Sequence, residues 1–505
     1  MTEIKDFPKF IGKEVEIQGW VANKRSSKGI EFIIFRDGSG FTQCVVNQDD
    51  AGIKSYETAR NAGQEASLKL RGTVVKDERQ IGGYELQVNH VQLIGKSENY
   101  PVSNKEHGPD FLMDHRHLWL RSQRQWSIMQ IRNTIIFSIH EFFQKEGFVQ
   151  ADAPIFTANA AEGTTTLFET DFYGQPAYLS QSGQLYGEAM ALALGKIYTF
   201  GPTFRAEKSK TRRHLSEFWM IEPEMAFFDN DMNMDLIEKF LKHVLSAVLG
   251  KNAKELKWIE RNTETFEAAV KESFPRLTYA EAVDILKGKT KINGKTTTET
   301  LQKDLEDVKN RMQEIQTGIE EREEQIKAGV KKGKRNFLQR KIDELKIEHK
   351  KLAETASNIP EWLKSIEHFE YGSDFGGSDE TVLTRMFKVP VMVYNWPHEI
   401  KAFYMKRDKE APELAKGVDV LAPEGYGEIV GGGERETDGD LLIEKINEHK
   451  LPMGAFEWYL DLRRYGTVKH AGFGLGLERM VAWICGLKHI RETIPFPRMY
   501  GRVNP

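Results

Sequence analysis

The chain has 505 residues, of which 40% are hydrophobic and 29% are charged. This length exceeds that of an ordinary single domain, so we expect at least two domains. The formal net charge of −4 excludes a uniformly basic nucleic-acid-binding protein. Any contact with nucleic acid must therefore rely on local basic patches.

Cysteine usage and the N-terminus indicate a cellular compartment. Cys44 and Cys485 are the two cysteines and lie far apart, so we expect neither a disulfide framework nor a cysteine-based zinc site. Such usage is typical of a reducing compartment. The N-terminus resembles neither a signal peptide nor an organelle presequence, and no apolar run is long enough to span a membrane. We expect a cytoplasmic protein with no membrane segment.

Residues 1–97 have the pattern of a small β-barrel. Alternating apolar residues and β-branched side chains predict short strands separated by glycine-containing turns. The stretches with this pattern are 14–25, 31–47, 66–77 and 84–95. About five strands in so short a segment favour an antiparallel barrel such as an OB-fold. The polar stretch 98–122 is predicted to be a linker or hinge.

A second domain is predicted over residues 123–505. It begins with apolar residues at helical spacing, which predict a long amphipathic helix that ends at Gly147. Strands and glycine-rich turns then alternate with helices to the C-terminus. We expect an α+β catalytic domain built on a mainly antiparallel sheet.

An insertion is predicted within this domain, at residues 288–358. Apolar residues in a four-three repeat indicate two helices that pack as an antiparallel hairpin. The repeat comprises Leu301, Leu305, Val308, Met312, Ile315, Ile319 and Ile326, then Leu338, Ile342, Leu345 and Leu352. The cationic tip, Lys331 to Arg335, is interpreted as a solvated turn. A contact with tRNA or another partner is the alternative.

Two segments carry residues suited to binding a nucleotide. In FRAEKSKTRRHLSEFWMIEPEMAF (204–227), a basic loop joins two strands, and Arg205 offers a planar fork of donors to phosphate. In HAGFGLGLER (470–479), alternate glycines clear one face of a strand, and Arg479 follows at a helix start. Neither segment has the spacing of a dinucleotide-binding glycine loop.

Together these segments resemble motifs 2 and 3 of the class II aminoacyl-tRNA synthetases. GFVQADAPIFT (147–157) is similar to their motif 1, which builds the dimer interface in that family. The N-terminal barrel indicates the aspartate/asparagine/lysine subgroup. YLSQSGQLYGEAMALALGKIYTFGPTFRAE, KAFYMKRD and VDVLAPEGYGEIVGGGERE are most similar to the asparaginyl enzymes, and the resemblance covers nearly the whole chain except the helical insertion.

The resemblance implies an asparagine–tRNA ligase with ATP, L-asparagine and tRNA(Asn) as ligands, Mg²⁺ as cofactor and a homodimeric assembly. It implies that Arg205, Glu428 and Arg479 act in catalysis. ATP contacts are assigned by this resemblance to Arg205, Glu207, His214, Phe218, Glu428 and Arg479. Glu428 and Asp419 are the implied metal ligands, and oxygen ligands suit a hard cation. Asp419 is alternatively a loop acid without a metal.

The implied amino-acid site contains Glu162, Ser182, Gln184, Glu222 and Arg435. Glu222 can accept from the side-chain amide of asparagine, and Arg435 can donate to its carbonyl. By resemblance, aspartyl enzymes have a shorter acid at 222 and a lysine where Gly187 stands. Aspartate would therefore meet a like charge here. Two alternatives stay open for Glu224, which either supports Arg435 or pairs with another base.

In the barrel, the resemblance implies that Arg25, Phe32 and Gln43 contact the anticodon. Aromatic stacking and hydrogen bonds to base edges are how single-stranded RNA is read. The alternative for Phe32 is a place in the barrel core. For the whole chain, the alternatives are an aspartyl-tRNA synthetase, an asparagine-forming ligase that reuses this catalytic core without the barrel, and a non-catalytic RNA-binding paralogue.

Overall fold

The computed structural model describes residues 1–103, 105, 107–158, 167–209 and 211–505. The chain divides into two units, Met1–Met129 with Asn504–Pro505, and Gln130–Val503. The first unit thus contains the predicted barrel and linker together with the start of the long helix. Within the described residues, no helix combines the length and apolar character needed to cross a membrane.

The first unit is built around a closed barrel, as the alternating pattern predicts. Its strands are β1 (Glu14–Ser27), β2 (Ile30–Arg36), β3 (Phe41–Asn47), β4 (Ser67–Lys76) and β5 (Tyr84–Gly95), and they neighbour one another in the order β1-β2-β3-β5-β4. The alternate inward residues Ile33 and Phe35 are fully buried in the core of the barrel. Phe32 directly precedes Ile33 and lies on the other face of β2, so it is not a core residue.

A helix that the strand pattern did not predict connects β3 to β4. This helix, α1 (Gln48–Asn61), begins after Asn47, whose side chain accepts from the backbone N–H of Asp49 at 3.1 Å. Asn47 followed by two aspartates is a helix-start signal, and it was missed because the apolar content here is low. Two short helices, α2 (Pro109–Asp114) and α3 (Arg116–Trp119), follow the barrel.

The remaining elements belong to the second unit, apart from the first turns of α4. The helices are α4 (Gln123–Lys145), α5 (Gln184–Leu194), α6 (Asn230–Lys251), α7 (Ala253–Trp258), α8 (Glu264–Lys271), α9 (Tyr279–Leu286), α10 (Thr297–Lys327), α11 (Lys332–His368), α12 (Gly377–Thr384), α13 (Gly439–Glu448), α14 (Glu457–Arg464) and α15 (Leu477–Cys485). The strands are β6 (Val149–Gln150), β7 (Phe156–Thr157), β8 (Glu169–Phe172), β9 (Gln175–Leu179), β10 (Lys196–Phe204), β11 (Glu217–Ala226), β12 (Arg276–Thr278), β13 (Val391–Pro397), β14 (Leu414–Ala422), β15 (Gly427–Glu434) and β16 (His470–Gly476).

Eight of the described strands of the second unit form one sheet in the order β12-β13-β14-β15-β16-β11-β10-β6. The pairings are antiparallel except for β12 with β13 and β10 with β6. This is the mainly antiparallel sheet that the sequence predicted. The order brings β15, β16, β11 and β10 together at its centre, although β15 and β10 are more than 200 residues apart in the chain. A second, three-stranded sheet has the order β7-β9-β8.

The inserted hairpin is formed by α10 and α11. Its core consists of Ile315, Ile319 and Ile342, with Ile326, Leu345 and Leu352 partly buried against it. These are residues of the predicted apolar repeat. The second helix runs ten residues beyond the predicted end at 358, because Ile359 and Ile366 join a separate core with α9 and β13. The hairpin therefore continues without a break into the body of the unit.

Removing one side chain tests the core of the hairpin. Ile342→Ala should destabilise the packing of α10 on α11 by about 2–5 kcal/mol, because the side chain is 1% exposed and its removal leaves a cavity. We expect faster amide hydrogen exchange along both helices. Ile347→Ala on the same helix is the control, since Ile347 is 54% exposed and should change little. Equal effects at both positions would contradict the packing described.

Candidate active site

The two strands of the 204–227 segment form the antiparallel pair β10 and β11, with Thr203 opposite Phe218. Arg205 follows the end of β10, and its guanidinium carbon lies 5.4 Å from the ring centroid of Phe218. Its backbone N–H donates to the carbonyl of Ser216 at 3.0 Å, which closes the base of the basic loop. Strand pairing thus holds an arginine and an aromatic ring next to each other.

A pocket, here called the nucleotide pocket, opens over Arg205 and Phe218. It brings together five of the six residues that the sequence assigned to ATP: Arg205, His214, Phe218, Glu428 and Arg479. Its other lining residues are Arg213, Leu215, Met220, Ile429, Gly474, Gly476, Glu478 and Ile490. Glu207, the sixth, is not among the lining residues, but its carboxylate lies 4.0 Å from Nε2 of His214.

Positive charge is concentrated in the nucleotide pocket. Burial lowers the pKa of His214, and the charges of Arg479, Arg205 and Arg213 lower it further. The imidazole is therefore neutral at pH 7, and its Nδ1 lies within hydrogen-bond distance of the Thr211 hydroxyl. An arriving phosphate would favour the charged form of His214, because it supplies the opposite charge.

The glycines of β16 serve two purposes. Gly474 and Gly476 line the nucleotide pocket. A Cβ on Gly476 would come no closer than 3.9 Å to Arg479, as expected for a cleared face, whereas a Cβ on Gly474 would meet Cε of Met220 at 2.7 Å. A Cβ on Gly472, by contrast, would stand 2.1 Å from a carboxylate oxygen of Glu224. The space at Gly472 is thus occupied by a protein side chain rather than left open for a flat ligand.

A second pocket, here called the amino-acid pocket, adjoins the first. Ser182, Gln184, Glu222 and Arg435 line it, and it shares Arg205, Met220, Glu428 and Gly474 with the nucleotide pocket. Four of the five residues predicted to bind the amino acid therefore come together. The fifth, Glu162, lies outside the described residues.

Glu222 is held at the start of α5. One carboxylate oxygen accepts from the hydroxyl of Ser182. The other accepts from the backbone N–H of Gly183 at 2.8 Å and from the Thr199 hydroxyl at 3.2 Å. A helix N-terminus stabilises negative charge, so this position favours the ionised carboxylate. The side chain is 7% exposed and lines the pocket from this fixed position.

Behind the pocket lies a layer of buried charges. Arg435, 1% exposed, donates from Nη2 to Glu224 at 2.9 Å and to the side-chain oxygen of Gln184 at 2.7 Å. This contact answers the question left open for Glu224, which supports Arg435. Burial opposes the charge of Arg435, but Glu224 outweighs it and raises the pKa of the guanidinium.

The layer continues with Glu188, which is fully buried. It accepts from Arg463 at 2.7 Å and from the Tyr459 hydroxyl at 2.7 Å, and it pairs with Nε2 of His470 at 2.9 Å. Burial alone would raise the pKa of Glu188, but Arg463 and His470 hold it well below its usual range. Glu188, Glu224 and His470 lie close enough to hold a metal ion. Their lone pairs already accept from Arg463, Tyr459 and Arg435, so we assign them a structural role.

Two carboxylates lie side by side where the pockets meet. Oε1 of Glu428 and Oδ1 of Asp419 would stand 2.8 Å and 3.4 Å from a Cβ on Gly431. Asp419 accepts from Nζ of Lys401 at 2.5 Å. Burial raises the pKa of Asp419 to about 7, Lys401 opposes the rise, and the charge of Glu428 adds to it. The two acids thus repel each other, although Lys401 pairs with Asp419 and Arg479 pairs with Glu428.

The anticodon residues predicted in the barrel differ in exposure. Arg25 is exposed, and its guanidinium carbon lies 4.6 Å from the centroid of the Phe32 ring, which is half-buried. Gln43 is only 4% exposed, and its amide donates to Glu85 at 2.6 Å. Gln43 lies opposite Ile34, two residues from Phe32, so it is on the same face of the barrel as Phe32 and Arg25, where it is covered rather than open.

Several residues of the site were missed at the sequence level. Lys401 lines the amino-acid pocket. It lies in the segment KAFYMKRD, whose similarity to the asparaginyl enzymes did not assign a role to any single residue. Arg213 donates to Glu380 at 2.9 Å and to the carbonyl of Gly425, contacts between segments more than 150 residues apart. Glu188 is separated from Arg463 by 275 residues. No local spacing could indicate these pairs.

Family models match both parts of the chain. The model described as tRNA synthetases class II (D, K and N) matches residues 108–500. The model described as an OB-fold nucleic acid binding domain matches residues 15–94.

Similar proteins of known function match this chain over nearly its whole length. An asparagine–tRNA ligase of Sorangium cellulosum is 47% identical over 99% of this chain and 98% of its own length. One of Thermus thermophilus is 44% identical, with 99% of each covered. Among solved structures, asparaginyl-tRNA synthetase from Pyrococcus horikoshii complexed with asparaginyl-adenylate matches with a TM-score of 0.80 and 34% identity, covering 100% of this chain and 99% of its own.

The buried ion pair of Glu224 with Arg435 gives a stability test. Glu224→Gln leaves Arg435 buried without its counter-charge, so we expect a loss of roughly 3–5 kcal/mol in the free energy of unfolding. Asp461→Asn is the control, because the ion pair of Asp461 with Arg464 is about half exposed and contributes about 1 kcal/mol or less. Thermal unfolding of both variants measures the difference. Equal midpoints for the two variants would contradict the role given to the pair.

Proposed function

The chain belongs to the class II tRNA synthetases of the D, K and N group, and from this premise we propose that it is an asparagine–tRNA ligase. It activates L-asparagine with ATP and transfers it to tRNA(Asn) for protein synthesis. The observation that carries this proposal is the pair of adjoining pockets that share Arg205 and Glu428. One is lined by Glu222 and Arg435, and the other contains Phe218 and several cations.

The reaction takes place in two steps. An oxygen of the asparagine α-carboxylate attacks the α-phosphorus of ATP. A bond forms between that oxygen and the α-phosphorus, and the bond from the α-phosphorus to pyrophosphate breaks. The 3′-hydroxyl of the tRNA then attacks the acyl carbon, and AMP leaves with the bonding electrons. Neither step requires a protein nucleophile. Catalysis therefore depends on positioning and on charge stabilisation.

Within the nucleotide pocket, Phe218 forms a platform for adenine, and Arg479 covers its other face. Arg205 reaches both pockets, so its guanidinium binds the α-phosphate and the attacking carboxylate together. His214 binds the γ-phosphate, and Glu207 contacts the adenine edge from the neighbouring loop. The guanidinium carbon of Arg205 lies 5.4 Å from the centroid of the Phe218 ring, which supports this arrangement because a nucleotide stacked on that ring would have the cation within reach of its phosphates.

Selection of asparagine depends on Glu222. Its carboxylate accepts from the side-chain amide of the substrate, while Arg435 donates to the side-chain carbonyl, and Ser182 and Gln184 complete the wall. Glu162 belongs to the same proposed site. Aspartate would place a second negative charge beside a carboxylate that the start of α5 keeps ionised. Gly187 leaves space next to Glu224, where the aspartyl enzymes by resemblance carry a lysine.

Asp419 and Glu428 fit a Mg²⁺ ion. Both offer carboxylate oxygens, the donors that Mg²⁺ prefers, and their mutual repulsion is what a divalent cation would relieve. When bound, the ion supplies positive charge to the phosphates of ATP. Lys401 holds Asp419 in position, and Arg479 holds Glu428 through a 2.9 Å hydrogen bond to its carbonyl.

The barrel binds the anticodon of the tRNA. Phe32 on the open face of β2 stacks on a base, and Arg25 contacts the bases or the backbone. Gln43 contacts the anticodon from the same face as Phe32, where its amide also binds Glu85. This assignment disfavours an amide-forming ligase, which would need no anticodon domain.

The chain functions as a homodimer. The segment similar to motif 1 and the helix before it, α4, expose several large apolar side chains, namely Phe137 at 64%, Val149 at 45%, Ile155 at 42% and Phe156 at 49%. Several exposed large apolar side chains within one short stretch of the chain favour a protein interface there. We place the enzyme in the cytoplasm, and the two buried free cysteines support a reducing compartment.

Pyrophosphate exchange with each amino acid tests the role of Glu222. The wild-type chain should exchange with asparagine and not with aspartate. Glu222→Gln should lower kcat/KM for asparagine roughly 10- to 100-fold, because a charged hydrogen bond is lost. It should also reduce the ratio of kcat/KM for asparagine to kcat/KM for aspartate. Glu444→Gln on the surface of α13 is the control. An unchanged preference in Glu222→Gln would refute this role, and exchange with aspartate alone would refute the proposed substrate.

The homodimer is tested by placing a charge on the exposed surface. Phe137→Asp should convert dimer to monomer at micromolar concentration, because an unpaired carboxylate would be buried in the interface. Sedimentation velocity measures the assembly. Phe337→Asp is a matched control, since Phe337 is 58% exposed but lies on the hairpin. A dimer that survives Phe137→Asp unchanged would argue against this surface.

A further inference from the structure

A large basic cavity lies on the far side of the nucleotide pocket. It has a volume of about 640 Å³, within the range of ligand-binding pockets. Among the described residues that line it, five are cationic: Arg212, Arg213, Arg385, Arg479 and Lys488. The one carboxylate among them, Glu424, is engaged by Arg261 at 2.8 Å. Four of these cations also pair with carboxylates outside the lining: Arg213 with Glu380, Arg385 with Asp304, Arg479 with Glu428 and Lys488 with Glu354. Along the lining itself, cationic groups outnumber carboxylates by five to one.

The positive charge is only partly compensated. Arg385 donates to Asp304 at 2.5 Å and lies over the Trp362 ring, but its Nε is buried with no hydrogen-bond partner among the described residues. Burial, together with the charges of Arg491 and Arg212, lowers the pKa of nearby His489 to about 4. The buried Nε donor of Arg385 indicates a place where an anion would be stabilised, because a ligand oxygen could accept from it.

The position of the cavity indicates which anion. It shares Arg213, Arg479 and Ile490 with the nucleotide pocket and has no lining residue in common with the amino-acid pocket. The nucleotide pocket thus lies between the two. In an in-line displacement, the leaving group departs opposite the attacking oxygen. Since the carboxylate attacks from the amino-acid pocket, pyrophosphate departs toward the basic cavity.

We propose that this cavity binds inorganic pyrophosphate as it leaves, and that the helical hairpin provides one of its walls. Thr355, Asn358 and Trp362 of α11 line that wall, and Arg385 follows α12. The hairpin is thereby tied to product release. This inference rests on the proposed function, because that reaction generates the pyrophosphate.

The test uses the reverse reaction of the full-length enzyme. Enzyme carrying asparaginyl-adenylate is isolated, mixed with increasing pyrophosphate, and assayed for ATP formation. Arg212→Ala removes an exposed cation of the cavity, and Asn358→Asp adds a carboxylate to the hairpin wall with almost no change in shape. Each should raise the half-saturating pyrophosphate concentration about three- to tenfold, the scale of one charged contact. KM for ATP and KM for tRNA should stay unchanged.

Asn336→Asp is the matched control, because it makes the same change in the same helix, near the exposed tip and outside the cavity. Wild-type values for Arg212→Ala and Asn358→Asp would overturn the inference. A raised KM for tRNA with unchanged pyrophosphate dependence would also overturn it, because the cavity would then bind RNA. Failure of the wild-type chain to form asparaginyl-adenylate would instead refute the proposed function, and the inference with it.

Discussion

The ion pair between Glu224 and Arg435 is the interaction on which the amino-acid pocket depends. Both side chains are almost completely buried, so their charges must compensate each other. Gln184 and the layer around Glu188 surround the pair, and Gly472 leaves space for the Glu224 carboxylate. Arg435 is thus fixed before any substrate arrives. A recognition group that is already ordered loses less entropy when it binds a ligand.

The nucleotide pocket is organised by a different principle. Arg205, Arg213 and Arg479 line one small space together with the neutral His214, and this clustering of like charges is electrostatically unfavourable. Glu428 relieves part of the repulsion through Arg479. The phosphates of ATP would relieve the rest. The two adjoining pockets therefore differ. In the amino-acid pocket, protein side chains neutralise one another's charges, whereas the nucleotide pocket is stabilised when it binds its ligand.

Much of the architecture could be predicted from the sequence, for physical reasons that differ between elements. The barrel strands and the hairpin follow from apolar periodicity, and the family was identified from three ordered motifs. Helix α1 was missed because it begins with polar residues and shows little amphipathic pattern. The far end of α11 was missed because its apolar residues pack on α9 and β13 rather than on α10. The partners of Glu188 could not be found, because only the sheet order brings them together.

Helix α11 has a mechanical consequence. It comprises 37 residues, or roughly 55 Å at 1.5 Å per residue, and runs from the exposed tip to the core near α9. Asn358 and Trp362 lie on either side of Pro360, whose ring removes one hydrogen bond from the helix interior. The stiff rod is therefore weakest beside the basic cavity. A force applied at the tip of the hairpin would therefore bend α11 near Pro360, and this bending would move the part of the helix that lines the cavity.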